Sequence, residues 1–213
     1  MTDQHSEKCT VQAIMFDFGG VLAEEGFQKG LTVIAQQYGL EPEKFVNTGV
    51  QMVHESGYVY GRGSETDFWN MFRQATGISG DPEQLREEIL SRFVVRPWMI
   101  ELVKKLKTHR VRLGILSDQV DWLDKLNERY SFFHLFDKVI NSYHTGKTKR
   151  ELEAFTNAVK IMGAPPEETL FIDDHSAHVE RARSLGLHGI VYKDREQFGR
   201  ELTGYCAFLN GVV

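Results

Sequence analysis

The chain of 213 residues and 24.4 kDa is long enough for one domain, or one core with a sizeable insertion, and can bury that core without metal or disulfide staples. Apolar residues make up 41% and charged residues 26%, with only 5 prolines, which excludes a disordered or fibrous chain. A net charge of −5, from 30 acidic and 25 basic residues, lacks the basic surplus of a nucleic-acid binder. No apolar run approaches the ~20 residues that span a bilayer, so no membrane partner is expected. Residues 1–8 are polar and hold no apolar signal core. The two cysteines, Cys9 and Cys206, stand near opposite ends without metal-ligand spacing and read as separate thiols in a reducing compartment. These features together predict a cytoplasmic protein, monomer or homodimer.

Residues 11–16 form a short apolar run closed by Asp-Phe-Gly-Gly, the pattern of a buried parallel strand. From Glu24 to about Arg96 the pattern is helical throughout, with helices predicted over 26–38, 42–55, 64–76 and 81–93. Ser64 with Asp67 makes a capping-box start, and Asp81-Pro82 an N-cap followed by proline at the first helical position. These roughly 70 residues are too many for an ordinary crossover between strands. They read as a helical cap over 24–95, inserted into an α/β core made of 1–23 and 96–213. Phe68, Trp69 and Phe72 fall at helical spacing as its core.

Strands and helices then alternate. A helix over 97–107 precedes a strand over 111–116 that ends in Ser-Asp, and a helix over 118–130 precedes a strand over 138–140 that ends in Asn-Ser. A helix over 150–162 is stopped by Gly163, and a strand over 169–172 runs into Asp-Asp. A helix over 176–185 is stopped by Gly186, and a strand spans 189–192. This alternation predicts a Rossmann-like, doubly wound parallel sheet.

In such sheets ligands bind beyond the carboxyl ends of the strands. The side chains there are Asp17, Ser117, Ser142, Asp173 and Asp174, with Lys149 opening the helix after Gly146. Carboxylates brought together raise one another's pKa unless a cation sits among them. A hard ion with oxygen ligands fits, and Mg²⁺ is the usual choice beside phosphate. Ser117 and Lys149 suit phosphate oxygens.

Read in order, IMFDFGGVL, LGILSDQ, GKTKRELEAF and LFIDDHSAHVERARSLG resemble the four motifs of the haloacid dehalogenase-like hydrolases. The resemblance covers Ala13 to Tyr192, and the cap position is that of the helical-cap subclass. It implies Asp17 as nucleophile, an aspartyl-phosphate intermediate, and Mg²⁺ held by Asp17, the Gly19 carbonyl, Asp173 and Asp174. Ser117, Asp118 and Lys149 would border the phosphate. A small phosphorylated metabolite is the implied substrate, released by a phosphatase; a metal-free 2-haloacid dehalogenase and a catalytically degenerate interaction module are the alternatives.

Three departures stand out. Most phosphatases of the family place an acidic general acid/base two residues after the nucleophile, where this chain has Gly19. A sugar-1-phosphate phosphatase branch resembles FDFGGVL there, and an anomeric leaving group needs less help from an acid. Asp118 stands where Asn often follows the Ser, as surrogate acid, metal-shell ligand or helix N-cap. His175 and His178 follow Asp174 and either cap the helix, line the site mouth or donate protons. Tyr58, Tyr60 and Arg62, in SGYVYGRG, are the cap residues expected to meet substrate. Glu24 and Glu25 read as solvated hinge residues.

Overall fold

The computed structural model describes residues 9–210; the polar stretch 1–8 lies outside the described residues. Five strands, β1 (Ala13–Phe16), β2 (Arg112–Ser117), β3 (Lys138–Asn141), β4 (Thr169–Asp173) and β5 (His188–Val191), form one parallel sheet in the order β3-β2-β1-β4-β5. This is the doubly wound arrangement, and its strand order reverses at β1, the place where such sheets bind ligands.

The strands are apolar on both faces because both faces are covered. Ile14 and Phe16 join Leu113, Ile115, Leu170 and Ile172 in one apolar layer. Ala13 and Met15 point the other way, toward Phe155, Ala158, Val179 and Ala182. The last four sit on α8 (Leu152–Met162) and α9 (Ser176–Ser184), while α5 (Pro97–Thr108) and α10 (Arg195–Tyr205) contribute to the first layer. The helix before β3 is α6 (Trp122–Tyr130), and a single turn, α7 (Ser142–Thr145), follows that strand.

Between β1 and α5 the chain makes four helices: α1 (Phe27–Gln37), α2 (Pro42–Glu55), α3 (Glu65–Thr76) and α4 (Pro82–Leu90). Glu41 caps α2 by accepting from the Glu43 and Lys44 amides. Ser64 and Asp67 form the reciprocal capping box of α3. Asp81 occupies the N-cap position of α4, but its side chain makes no capping bond there. The two chain crossings into and out of this helical unit are paired: Ala23 bridges Val95, the Glu24 amide donates to the Val94 carbonyl, and the Arg96 amide to that of Leu22.

An aromatic cluster joins the helical unit to the sheet domain. Phe68, Trp69 and Phe72 are all buried, and Trp122 of α6 reaches into them with its ring centroid 6.2 Å from that of Trp69. Aromatic residues carry the largest apolar area per side chain, so this cluster supplies much of the adhesion.

The reading of Cys9 and Cys206 as separate thiols is corrected. They are joined in a disulfide, because the segment entering β1 runs antiparallel to the end of α10 and brings their Cα atoms to 4.1 Å. The bridge closes a loop of 197 residues, and loop closure on that scale restrains the unfolded chain. Cys206→Ser should therefore lower stability by about 2–4 kcal/mol. Urea denaturation shows this as a lower midpoint, and reductant should move the parent, not the variant.

Candidate active site

The strand ends converge as the topology requires. Asp17 follows β1, and its amide extends the β1–β4 ladder by donating to the Ile172 carbonyl at 2.8 Å. Its Oδ1 accepts from the Phe18 amide at 2.7 Å, which fixes the carboxylate over the sheet edge. Asp173 closes β4 and accepts from the His175 amide at 2.7 Å. Asp174, next in the chain, is exposed toward solvent. Asp17, Asp173 and Asp174 each place a carboxylate oxygen within 4.8 Å of the others.

One ammonium serves this cluster. Lys149 Nζ lies 2.6 Å from Asp173 Oδ2 and 2.9 Å from Asp17 Oδ1, with its side chain 1% exposed. Lys149 precedes α8 in a turn instead of opening the helix, and that turn lets it reach back between two strand ends. Asp118 accounts for its position: both carboxylate oxygens accept from the Lys149 amide at 3.0 Å. Asp118 is thus a brace for Lys149 and not the N-cap of α6, which starts four residues later.

The electrostatics follow from burial. Burial pushes the Asp17 carboxyl up to about 8; Lys149 opposes the shift, while Asp173 and Asp174 add to it. Burial also raises Asp118, and for Asp174, open to solvent on one side, partial burial and the neighbouring Asp173 charge act in the same direction. For Asp173 burial acts in the same upward direction, but Lys149 and His178 outweigh it and hold the carboxyl below its usual range. Burial would lower Lys149, yet Asp17, Asp173 and Asp118 keep it firmly protonated. Four carboxylates thus face one ammonium, and the cluster lacks positive charge.

That deficit is the test of whether a divalent cation suits these residues, and they suit it: all three clustered oxygens are hard donors. Gly20 makes the crowding possible. It has φ of +84°, and a Cβ there would sit 2.2 Å from Asp174 Oδ2.

Ser117 ends β2 with its hydroxyl buried and without a hydrogen-bond partner. A buried unpaired hydroxyl costs free energy unless a ligand oxygen completes it. Ser142, also at a strand end, is engaged elsewhere and donates to the Gln119 carbonyl at 3.3 Å. Asn141, which sequence reasoning passed over, works beside it. Its Oδ1 accepts from the Gln119 amide and its Nδ2 donates to the Val120 carbonyl, both at 3.1 Å. Together they hold the loop after Ser117. Arg96 was likewise unmarked by any motif; it donates to the Gly20 and Val21 carbonyls at 2.7 and 2.9 Å and pairs with Glu24 at 2.9 Å. Arg96 and Lys29 draw the Glu24 carboxyl down to about 2, so Glu24 is a paired residue and not simply a solvated one.

A cleft of about 410 Å³ opens between the helical unit and the strand ends. Asp118, His175 and His178 line its inner side; Asp17, with 13% of its side chain exposed, is not itself among the lining residues, nor are Ser117, Lys149, Asp173 and Asp174. His178 Nδ1 stands 3.2 Å from Asp173 Oδ2, and the His175 ring stacks on it. Glu25 also faces the cleft, where its carboxylate caps α1 by accepting from the Gln28 amide at 2.9 Å. A larger groove of about 600 Å³ along α5 contains none of these residues.

Tyr58, Tyr60 and Arg62, expected to meet substrate, do not line this cleft. Tyr58 is buried and donates its hydroxyl to Asp121 of the sheet domain. Tyr60 bonds His54 Nδ1 at 3.1 Å, and the exposed Arg62 lies over the Tyr60 ring. Gly61 packs so closely on α7 that a Cβ would stand 2.1 Å from the Tyr143 carbonyl oxygen. The whole segment docks one unit on the other. The residues of the helical unit that do face the cleft include Phe27, Val50, Val53, His54 and Val59.

The family model for haloacid dehalogenase-like hydrolase matches residues 11–186. The chain belongs to this family. As a haloacid dehalogenase-like hydrolase it is 27% identical over 170 residues to glyceraldehyde 3-phosphate phosphatase of Methanocaldococcus jannaschii, covering 72% of each chain. A shorter stretch of 69 residues is 36% identical to drimenol cyclase drtB of Aspergillus calidoustus, 32% of this chain and 13% of that protein. Among solved structures, a HAD family enzyme from Bacteroides thetaiotaomicron superposes with a TM-score of 0.74 at 23% identity, covering 90% of this chain and 98% of that one. An L-2-haloacid dehalogenase from Xanthobacter autotrophicus does so with a TM-score of 0.63 at 18% identity, covering 94% and 87%. These two share the fold. No helix among the described residues is long and apolar enough to cross a membrane.

Proposed function

We propose that this hydrolase is an Mg²⁺-dependent phosphatase acting on a small phosphorylated metabolite through a phosphorylated Asp17. The observation that carries this reading is the charge deficit: Asp17, Asp173 and Asp174 gather their oxygens within 4.8 Å around a single buried ammonium. Asp17, Asp173 and Asp174, with the Gly19 carbonyl that the family resemblance implies, would hold the ion. Bound there, Mg²⁺ supplies positive charge that offsets repulsion between a carboxylate and a phosphate dianion.

The side chains divide the remaining work. An Asp17 oxygen attacks phosphorus, an O–P bond forms, and the bond to the leaving oxygen breaks. Ser117 donates its free hydroxyl, and Lys149 its charge, to the phosphoryl oxygens. Water then attacks the acyl phosphate, frees inorganic phosphate and returns Asp17 as a carboxylate. Gly19 offers no proton to the leaving group, and a Cβ at that position would already be 3.3 Å from the Phe93 ring and 3.7 Å from Gln119 Nε2. Esters with acidic leaving groups, sugar 1-phosphates among them, suit a site built this way.

Supporting resemblances point the same way: the archaeal relative is a phosphatase, and the Bacteroides enzyme has a form in complex with magnesium and inorganic phosphate. A metal-free dehalogenase has no use for three clustered carboxylates. The test is phosphate release from a panel of phosphate esters. Turnover is expected with Mg²⁺, loss in EDTA, and recovery when Mg²⁺ is restored. Full turnover in EDTA would remove the metal from the reading, and chloride release from 2-chloropropionate would favour the dehalogenase instead.

A further inference from the structure

The cleft is divided by chemistry. Its wall on the helical unit carries an apolar patch, Phe27, Val50, Val53 and Val59, beside Gln28 and His54. Its opposite rim carries Arg150, just past Lys149, and Arg181, one turn beyond His178 on α9. Among the described residues Arg150 and Arg181 have no carboxylate partner; several other arginines also lack one, Arg62 and Arg195 among them, but Arg150 and Arg181 are the two that line this cleft. Arg181 donates only to the Ala177 carbonyl of its own helix, at 3.1 Å. The two carboxylates that share the cleft make no ion pair with them: Asp118 accepts from the Lys149 amide and Glu25 from the amides that open α1. Two guanidinium groups without an ion-pair partner thus stand on one rim of a cleft whose other charged lining residues are two carboxylates.

Resting on the phosphatase reading above, we propose that the substrate's leaving group carries a second anionic group, carboxylate or phosphate, met by Arg150 and Arg181, on a body apolar enough to lie along the Phe27–Val59 wall. Guanidinium groups suit both oxyanions, because their paired N–H donors match two oxygens at once. The carboxylate cluster, which adjoins the cleft through the His178–Asp173 contact, would take the phosphoryl group that is cleaved, and the arginine rim the anion that stays on the product. Arg150 and Arg181 are thus specificity-determining residues.

The experiment compares esters of matched shape in Mg²⁺: 3-carboxyphenyl phosphate, 3-carbamoylphenyl phosphate and 3-(phosphonomethyl)phenyl phosphate. The readout is the ratio of kcat/KM between an anionic ester and the neutral carbamoyl ester. The parent should prefer an anionic ester by about tenfold or more, and added salt should narrow the gap. In the Arg150→Ala/Arg181→Ala protein the ratio should fall to within about twofold of one. Whichever anionic ester is preferred more strongly identifies the second anion. A parent ratio near one, or a preference that survives the double substitution, overturns the inference while leaving the phosphatase reading intact. Failure to hydrolyse any of the three with Mg²⁺ present counts against the phosphatase reading itself, and the inference falls with it.

Discussion

Asp17→Asn is expected to abolish phosphate release, by at least ~10³-fold, while leaving the fold no less stable than the parent's. An amide oxygen is a poor nucleophile toward phosphorus, and no other described carboxylate both follows β1 and contacts Lys149. The stability half follows from the charge deficit. In the metal-free parent, burial pushes the Asp17 carboxyl up to about 8 from an ordinary value of 3.8. A group raised in the folded state contributes its stability fully below the unfolded value and loses it as pH climbs through the folded value. The metal-free parent therefore weakens as pH rises from about 4 to about 8, and the Asn protein lacks that component. In EDTA the variant should be the more stable protein at pH 8, with the difference closing toward pH 4. A denaturation series across pH measures this; a variant that is markedly less stable at pH 8 would show that Asp17 is chiefly a structural partner of Lys149.

Lys149→Met should do the opposite. It removes the one ammonium between two buried carboxylates and leaves the apolar stem's volume nearly filled. Breaking a buried pair by deleting one partner costs about 3–5 kcal/mol, because the remaining charge stays desolvated. That is a large part of the ~5–15 kcal/mol that holds an ordinary domain together. The loss should appear as a much lower denaturation midpoint in EDTA at pH 7. It should shrink in acid, where the carboxyls are neutral, and shrink again with Mg²⁺, a second source of positive charge that binds the folded state alone. An unchanged midpoint in EDTA would mean that Lys149 does not hold the cluster.

Much of this architecture could be read from local pattern. Short apolar runs ending in Asp or Ser mark β1, β2 and β4 because a strand buried on both faces must be apolar throughout and its polar residues must wait for the strand end. Gly163 and Gly186 mark helix ends, and the helix predicted over 42–55 is α2. What stayed hidden depends on partners far along the chain. Cys9 and Cys206 meet only once the segment entering β1 pairs with the end of α10. Asp118 was legible as a helix cap, since Ser-Asp before a helical pattern usually is one; its bond to the Lys149 amide spans 31 positions. Tyr58, in a glycine-rich loop of the helical unit, has the look of a substrate contact, yet its hydroxyl finds Asp121 across the unit boundary. Arg96 gives no sequence signal at all, because its partners are two backbone carbonyls and Glu24, 72 positions away.

The most direct measurement is to quench a turning-over Mg²⁺ reaction in acid, reduce with borohydride and sequence the peptides by mass spectrometry. An acyl phosphate at position 17 is converted to homoserine, and that product is expected at Asp17 and nowhere else. Continued turnover with no modified residue, or with the modification at Asp173 or Asp174, would contradict a phosphoryl group carried by Asp17.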